Sequence, residues 1–74
     1  MLLSNLDVDK SAIIKNINIH GIKRKRLNDL GFIKGQVIVK KFESVFKNPI
    51  CYELKNTLIS IRNEDASNIE VEYE

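Results

Sequence analysis

The chain has 74 residues, twelve Lys or Arg against ten Asp or Glu, one cysteine (Cys51) and one histidine (His20). That length supports one small domain (1–74) with about 3–5 kcal/mol of net stability, and the single cysteine and histidine exclude an intrachain disulfide and a closed Cys/His zinc site. A lone thiol fits a reducing compartment, the stretch Met1–Asp9 lacks the basic start and unbroken apolar run of a signal peptide, and no apolar run nears the roughly 18 residues of a membrane span, so a cytoplasmic protein without direct membrane insertion is expected.

Along the chain, residues 1–9 carry −2, residues 10–47 carry +8 and residues 48–74 carry −4. Such a polarity suits recognition of an acidic surface, or pairing between the two regions once folded. Ser11 to Ile19 reads as a strand. Ile14 and Ile17 stand three apart, which breaks strict alternation and predicts a bulge or bend. His20-Gly21 punctuates, and Lys23 to Leu30 reads as a helix with Lys23, Leu27 and Leu30 on one face. Gly31 is the expected left-handed cap, with Phe32 folding back on the helix. Period-two runs follow: Val37 and Val39 on one face ahead of Phe42; Ile50, Tyr52 and Leu54 on another; then Ile59 and Ile61. Lys55-Asn56 predicts a tight hairpin. Asn63 is placed to cap a short helical turn with Glu64 and Asp65 at its positive end, and Ile69 to Tyr73 reads as the closing strand. The expected fold is mainly β: a small curled barrel of about five strands, with one short helix after the first strand and a short helical turn before the last.

Little in the sequence points to catalysis. Cys51 sits opposite Ile50, Tyr52 and Leu54 on its strand and reads as a small filler, because nothing nearby in sequence lowers its pKa. His20 lies in a loop without a second ligand or nucleophile at a telling spacing. The three glycines are scattered, so no phosphate loop is formed. Glu70, Glu72 and Glu74 line one side of the last strand and read as a solvated face. No catalytic residue, cofactor or metal ligand is assigned. The run Lys23-Arg24-Lys25-Arg26 has three readings: phosphate contacts, a solvated helix face, or a protein-docking surface. The absence of a stacking pair among these basic residues weighs against nucleic acid.

Arg26-Leu27-Asn28-Asp29-Leu30-Gly31-Phe32 resembles the RLxDLG signature of the ferrous-iron transport protein A family, the small FeoA-type domain. Gly35 with Val37-x-Val39 resembles that family's strand after "PG". Pro49-Ile50 resembles the start of its next strand, and Ile61-Arg62-x-x-Asp65-Ala66-x-x-Ile69-x-Val71 its "LRxxEAxxIxV" close. The register spans about Leu3 to Val71. The departures are Lys34 for a proline, Val45, Lys47 and Asn48 for the proline, glycine and aspartate of a "PxGDP" turn, Asn56 for a hairpin glycine and Asp9 for another glycine.

The resemblance implies an SH3-like barrel acting as an accessory of bacterial ferrous-iron uptake, with transition-metal binding a property at family level. Its implied partner is the cytosolic GTP-binding (G) domain of a ferrous-iron membrane permease, which would recruit it to the inner face of the membrane. The alternative is a small basic nucleic-acid-binding or stand-alone regulatory module related to the C-terminal domain of metal-dependent repressors. A homodimer is left open. Arg26, Leu27, Asp29, Leu30, Gly31, Gly35, Pro49, Arg62 and Ala66 then form a structural signature. Arg24, Lys25, Asn28 and Lys34 form the expected docking surface, with Arg24, Lys25 and Asn28 pointing outward from the helix and Arg26 and Asp29 nearer its buried edge.

Overall fold

The computed structural model describes residues 1–46 and 48–74. After a 3-10 turn (Leu3–Asn5) come β1 (Ser11–Ile17), α1 (Gly21–Leu30), β2 (Val37–Glu43), β3 (Ile50–Leu54), β4 (Thr57–Ile61), α2 (Asn63–Ala66) and β5 (Ile69–Tyr73). The strands form one antiparallel sheet in the order β4-β3-β2-β1-β5. This is the mainly β, five-stranded, SH3-like architecture expected from the sequence. The sheet does not close, so β4 and β5 are its two edges.

The irregular spacing in β1 has the predicted cause. Its pairing with β5 slips between Ile14 and Asn16, and the slip lets both Ile14 and Ile17 enter the core although they stand three apart. Asp9 and Asn56, which stand where the resembled pattern has glycine, both keep a left-handed backbone, at φ 67° and 62°. Asn and Asp tolerate that region better than other side chains. Lys55 joins Asn56 there at φ 52°, so the β3–β4 hairpin has the two-residue geometry that matches strand twist.

In β2 the face that carries Val37, Val39 and Phe42 is the more exposed one. Ile38 and Lys40 point into the core, whereas Val37 and Phe42 are exposed. Register dictates this, because Ile38 lies opposite Ala12 and Lys40 opposite Tyr52, both buried. Lys40 is only 3% exposed. Its aliphatic stem fills the strand position while Nζ lies 3.2 Å from the Glu43 carboxylate, without hydrogen-bond geometry at that Oε2.

Two further expectations are corrected. The helix begins at Gly21 rather than Lys23, and Leu30 is 49% exposed rather than buried. Phe32, swung inward by the turn at Gly31, fills the core in its place. Asn63 is the first residue of α2, not its cap; Arg62 holds the cap position with an extended backbone and no side-chain hydrogen bond. The Asn63 N–H instead donates to Asn48 Oδ1 at 2.8 Å.

The amino-terminal stretch, to which the sequence assigned no element, completes the core. Leu3 and Leu6 are fully buried, and the Tyr52 hydroxyl donates to the Leu3 carbonyl at 3.3 Å. Met1 is stitched to β5: its amine donates to the Val71 carbonyl at 2.9 Å, and the Val71 N–H donates back to the Met1 carbonyl at 2.7 Å.

Candidate docking surface

On its own α1 is a poor helix. It starts at a glycine, has no side-chain cap, and places Lys23 and Arg24 at the positive end of the dipole, where cations are disfavoured. Three contacts hold it. Leu27 is buried in the core. Arg24 Nη1 donates to the Ile17 carbonyl at 3.1 Å, clamping the first turn to the end of β1. Lys23 Nζ pairs with Asp65 at 3.0 Å, joining α1 to α2.

The far end of α1 is closed by backbone. Gly31 has φ 112°, its N–H donates to the Asn28 carbonyl at 3.0 Å, and the Phe32 N–H reaches the Leu27 carbonyl at 2.9 Å. This pair of bonds is a Schellman stop, and it requires the left-handed residue that Gly31 supplies. A Cβ at Gly31 would also run into the Leu54 side chain.

The predicted docking residues divide. Lys25, Asn28 and Lys34 are exposed as expected. Arg24 is not: it is half-buried and committed to the Ile17 carbonyl. Arg26 and Asp29, expected nearer the buried edge, are exposed. At about 100° per residue Asp29 lies roughly 160° from Leu27 and Arg26 about 100° away, which explains their exposure. The four-residue basic run is thereby split, with Lys23 and Arg24 used internally and Lys25 and Arg26 left outward.

The outward side of α1 also carries apolar residues that the sequence reading overlooked. Ile22 is 75% exposed and stands one turn before Arg26, with half-exposed Leu30 one turn after it. Ile33 is exposed just beyond the cap. Ile22 lies about 140° from Leu27 on a helical wheel, so the same periodicity that identified the core residue marks it as outward. The outer side of α1 thus presents exposed apolar and basic side chains together, on a helix anchored by one buried leucine.

Gly35 has φ 89° and its N–H donates to the Ile14 carbonyl at 2.8 Å. Ala66 is fully buried, and the Arg62 carbonyl accepts the N–H groups of Asp65 and Ala66, both at 3.0 Å. Pro49 and Arg62, distant in sequence, line one shallow cleft with Asn48. The Ser44 hydroxyl bridges the 44–48 loop by donating to the Asn48 carbonyl at 2.7 Å and accepting the Asn48 N–H at 2.9 Å. Lys47, one of the departures in this turn, lies outside the described residues. Val45 and Phe46 at its tip are 91% and 87% exposed.

Cys51 is buried in β3, and no group of three His, Cys, Asp or Glu side chains able to hold a metal ion occurs among the described residues. No helix among them is long and apolar enough to cross a membrane.

Comparison with known proteins places this geometry in context. The FeoA domain family model matches residues 1–73. A putative Fe(2+) transport protein A of Campylobacter jejuni is 39% identical over 72 residues, covering 96% of each chain. A Porphyromonas gingivalis protein named as a fusion of Fe(2+) transport protein A with the Fe(2+) transporter FeoB is 35% identical over 72 residues, covering 97% of this chain but only 8% of that far longer relative. Among solved structures, the zinc-complexed FeoA of Stenotrophomonas maltophilia is 26% identical with a TM-score of 0.84, covering 97% of this chain and 89% of that one. That protein is described as a prokaryotic SH3 domain and a suggested ferrous iron transport activating factor.

Proposed function

The chain belongs to the FeoA domain family, whose role lies in ferrous iron transport, and from this premise we propose that it is a non-catalytic, cytoplasmic accessory that docks on the GTP-binding region of a ferrous-iron permease through the outer side of α1. The observation that carries the reading is the outward stripe of Ile22, Lys25, Arg26 and Leu30, on a helix whose buried side is limited to Leu27 and the Arg24 and Lys23 tethers. The existence of a relative in which the A and B proteins are one chain supports association between the two. Charges of this kind steer and orient an acidic partner, while the apolar residues between them supply contact area.

The test is the rate at which this chain associates with the isolated G domain of its permease. Lys25→Glu with Arg26→Glu is expected to slow association about tenfold at low salt and to flatten its salt dependence, with the melting temperature unchanged. Association at the wild-type rate, with the wild-type salt slope, would remove α1 from the interface.

A further inference from the structure

The two edges of the sheet are treated differently. β5 is guarded: Leu2 bridges Glu70, Met1 exchanges hydrogen bonds with Val71, and Glu70, Glu72 and Glu74 alternate along it. β4 carries none of these devices. Its sequence, Thr57-Leu58-Ile59-Ser60-Ile61, holds no charge, proline or glycine, although charged side chains, prolines and covering segments are the usual protections of an edge strand.

Which backbone groups β4 offers follows from its hairpin. Thr57 faces Leu54 across the two-residue turn Lys55-Asn56, as the hydrogen-bonded pair that closes such a turn. Alternation then directs the N–H and C=O of Thr57, Ile59 and Ile61 toward β3, and those of Leu58 and Ser60 away from it. No backbone hydrogen bond from outside β3 reaches β4 among the described residues.

We propose that β4 is a self-association edge, on which a second copy of this chain adds its own β4 antiparallel about a two-fold axis through Ile59. Only a register that matches outward groups to outward groups can form ladder bonds. Centring on Ile59 sets Leu58 against the partner's Ser60 and Ser60 against the partner's Leu58, and each pair exchanges both N–H···O bonds. Side chains agree with this register. Half-buried Ile59 meets its own counterpart at the close, non-hydrogen-bonded position. Leu58, 59% exposed, lands at the end of the partner's cross-strand row Ser60–Cys51–Phe42, whose last member is exposed as well.

Coverage selects the occupant. In a second copy the outer edge of β5 is already taken up by Met1 and Leu2, so the edge left free to pair with β4 is the copy's own β4, and two uncharged strands meet without repulsion. A five-residue edge buries less than the roughly 1,200 Å² of a standard interface, so the association is weak and is seen at about 0.1–1 mM.

The experiment is sedimentation of the full chain across that concentration range, paired with a dilution series of amide shifts. The wild type is expected to move from monomer toward dimer, with the Leu58 and Ser60 amides among those that shift and those of Glu70 and Glu72 unmoved. Leu58→Lys with Ser60→Lys places lysines opposite lysines across the axis and should weaken association at least about tenfold. Leu58→Lys with Ser60→Glu sets each lysine against the partner's glutamate and should restore it. Both pairs of substitutions are at exposed positions, and circular dichroism verifies the fold. A wild type that stays monomeric throughout overturns the proposal. So does a dimer that all variants form equally, or whose shifts map elsewhere, for instance to Val45 and Phe46. Should either variant fail to fold, the wild-type shift map alone decides.

Discussion

The Arg24 guanidinium and the Ile17 carbonyl meet at 3.1 Å, so the last residue of β1 is hydrogen-bonded to the first turn of α1 across the connection that separates them. One arginine of a basic run is thus a structural strut, while its neighbours Lys25 and Arg26 are exposed. Arg24→Ala should lower stability by about 1–2 kcal/mol, since it strands a carbonyl that accepts a charged donor. Lys25→Ala should stay within about 0.5 kcal/mol. Urea unfolding of the two variants measures the difference, and equal midpoints would show that the strut contributes nothing.

Gly31 and Gly35 separate two costs that are usually confounded. Both have positive φ, but a Cβ at Gly31 collides with Leu54 whereas a Cβ at Gly35 meets open space. Gly35→Ala should therefore cost about 1 kcal/mol from backbone strain alone. Gly31→Ala should cost more, about 2–4 kcal/mol, because repacking of Leu54 is added to the same strain. Thermal melts of the two alanine variants would rank them.

Burial, with the Glu43 carboxylate close by, pushes the Tyr52 phenol up from its ordinary value. The unfolded chain loses this proton first as pH rises. The stabilisation is therefore fully present below about pH 10 and is lost progressively above it. Melting temperature should fall between about pH 9 and pH 11 more steeply in the wild type than in Tyr52→Phe. At neutral pH the same variant should be less stable by about 0.5–1.5 kcal/mol, for want of the bond to Leu3. Identical slopes would show that Tyr52 is not the group responsible.

Lys40 and Glu43 make an asymmetric pair: the lysine is almost wholly buried, while the Glu43 side chain is 29% exposed. Removing the glutamate leaves a buried cation with no partner, and Glu43→Ala should destabilise by about 2–3 kcal/mol, below the range for a fully buried pair because Glu43 is partly solvated. Lys40→Met keeps the stem, discards the charge, and should be neutral within about 1 kcal/mol or stabilising. Chemical denaturation of both variants checks the sign of the difference.

Ile22 offers a test that dissociates folding from docking. It touches solvent over most of its surface, so Ile22→Ser should leave the melting temperature within about 2 °C of the wild type. If α1 docks as proposed, the same change should speed dissociation from the permease G domain severalfold, in contrast to the charge reversals, which act on association. Unchanged kinetics in stopped-flow binding would take Ile22 out of the contact.

Features governed by local chemistry were legible in the sequence. The Gly31 stop, the Lys55-Asn56 turn and the Ile14/Ile17 bulge each rest on a few adjacent residues whose conformational preferences are strong. Features set by pairing between distant strands were not. In β2 the valines and Phe42 form the more apolar face, yet Ala12 and Tyr52 across the ladders decide which side is inward, and they select Ile38 and Lys40. Leu3 and Leu6 carry no periodic signal in so short a segment, although both are core. At the proposed docking surface, the basic run was visible as composition, but which of its members are tethered depended on where Ile17 and Asp65 arrive in space.

The pairing of β1 with β5 sets Ala12 opposite Tyr73. Its consequence lies in time rather than in space. The β2–β3–β4 meander joins near neighbours and can form as soon as its residues exist, whereas the β1–β5 ladder must wait for residues 69–73 and then close a far longer loop. During synthesis β1 therefore goes without its β5 neighbour until residues 69–73 have left the ribosome.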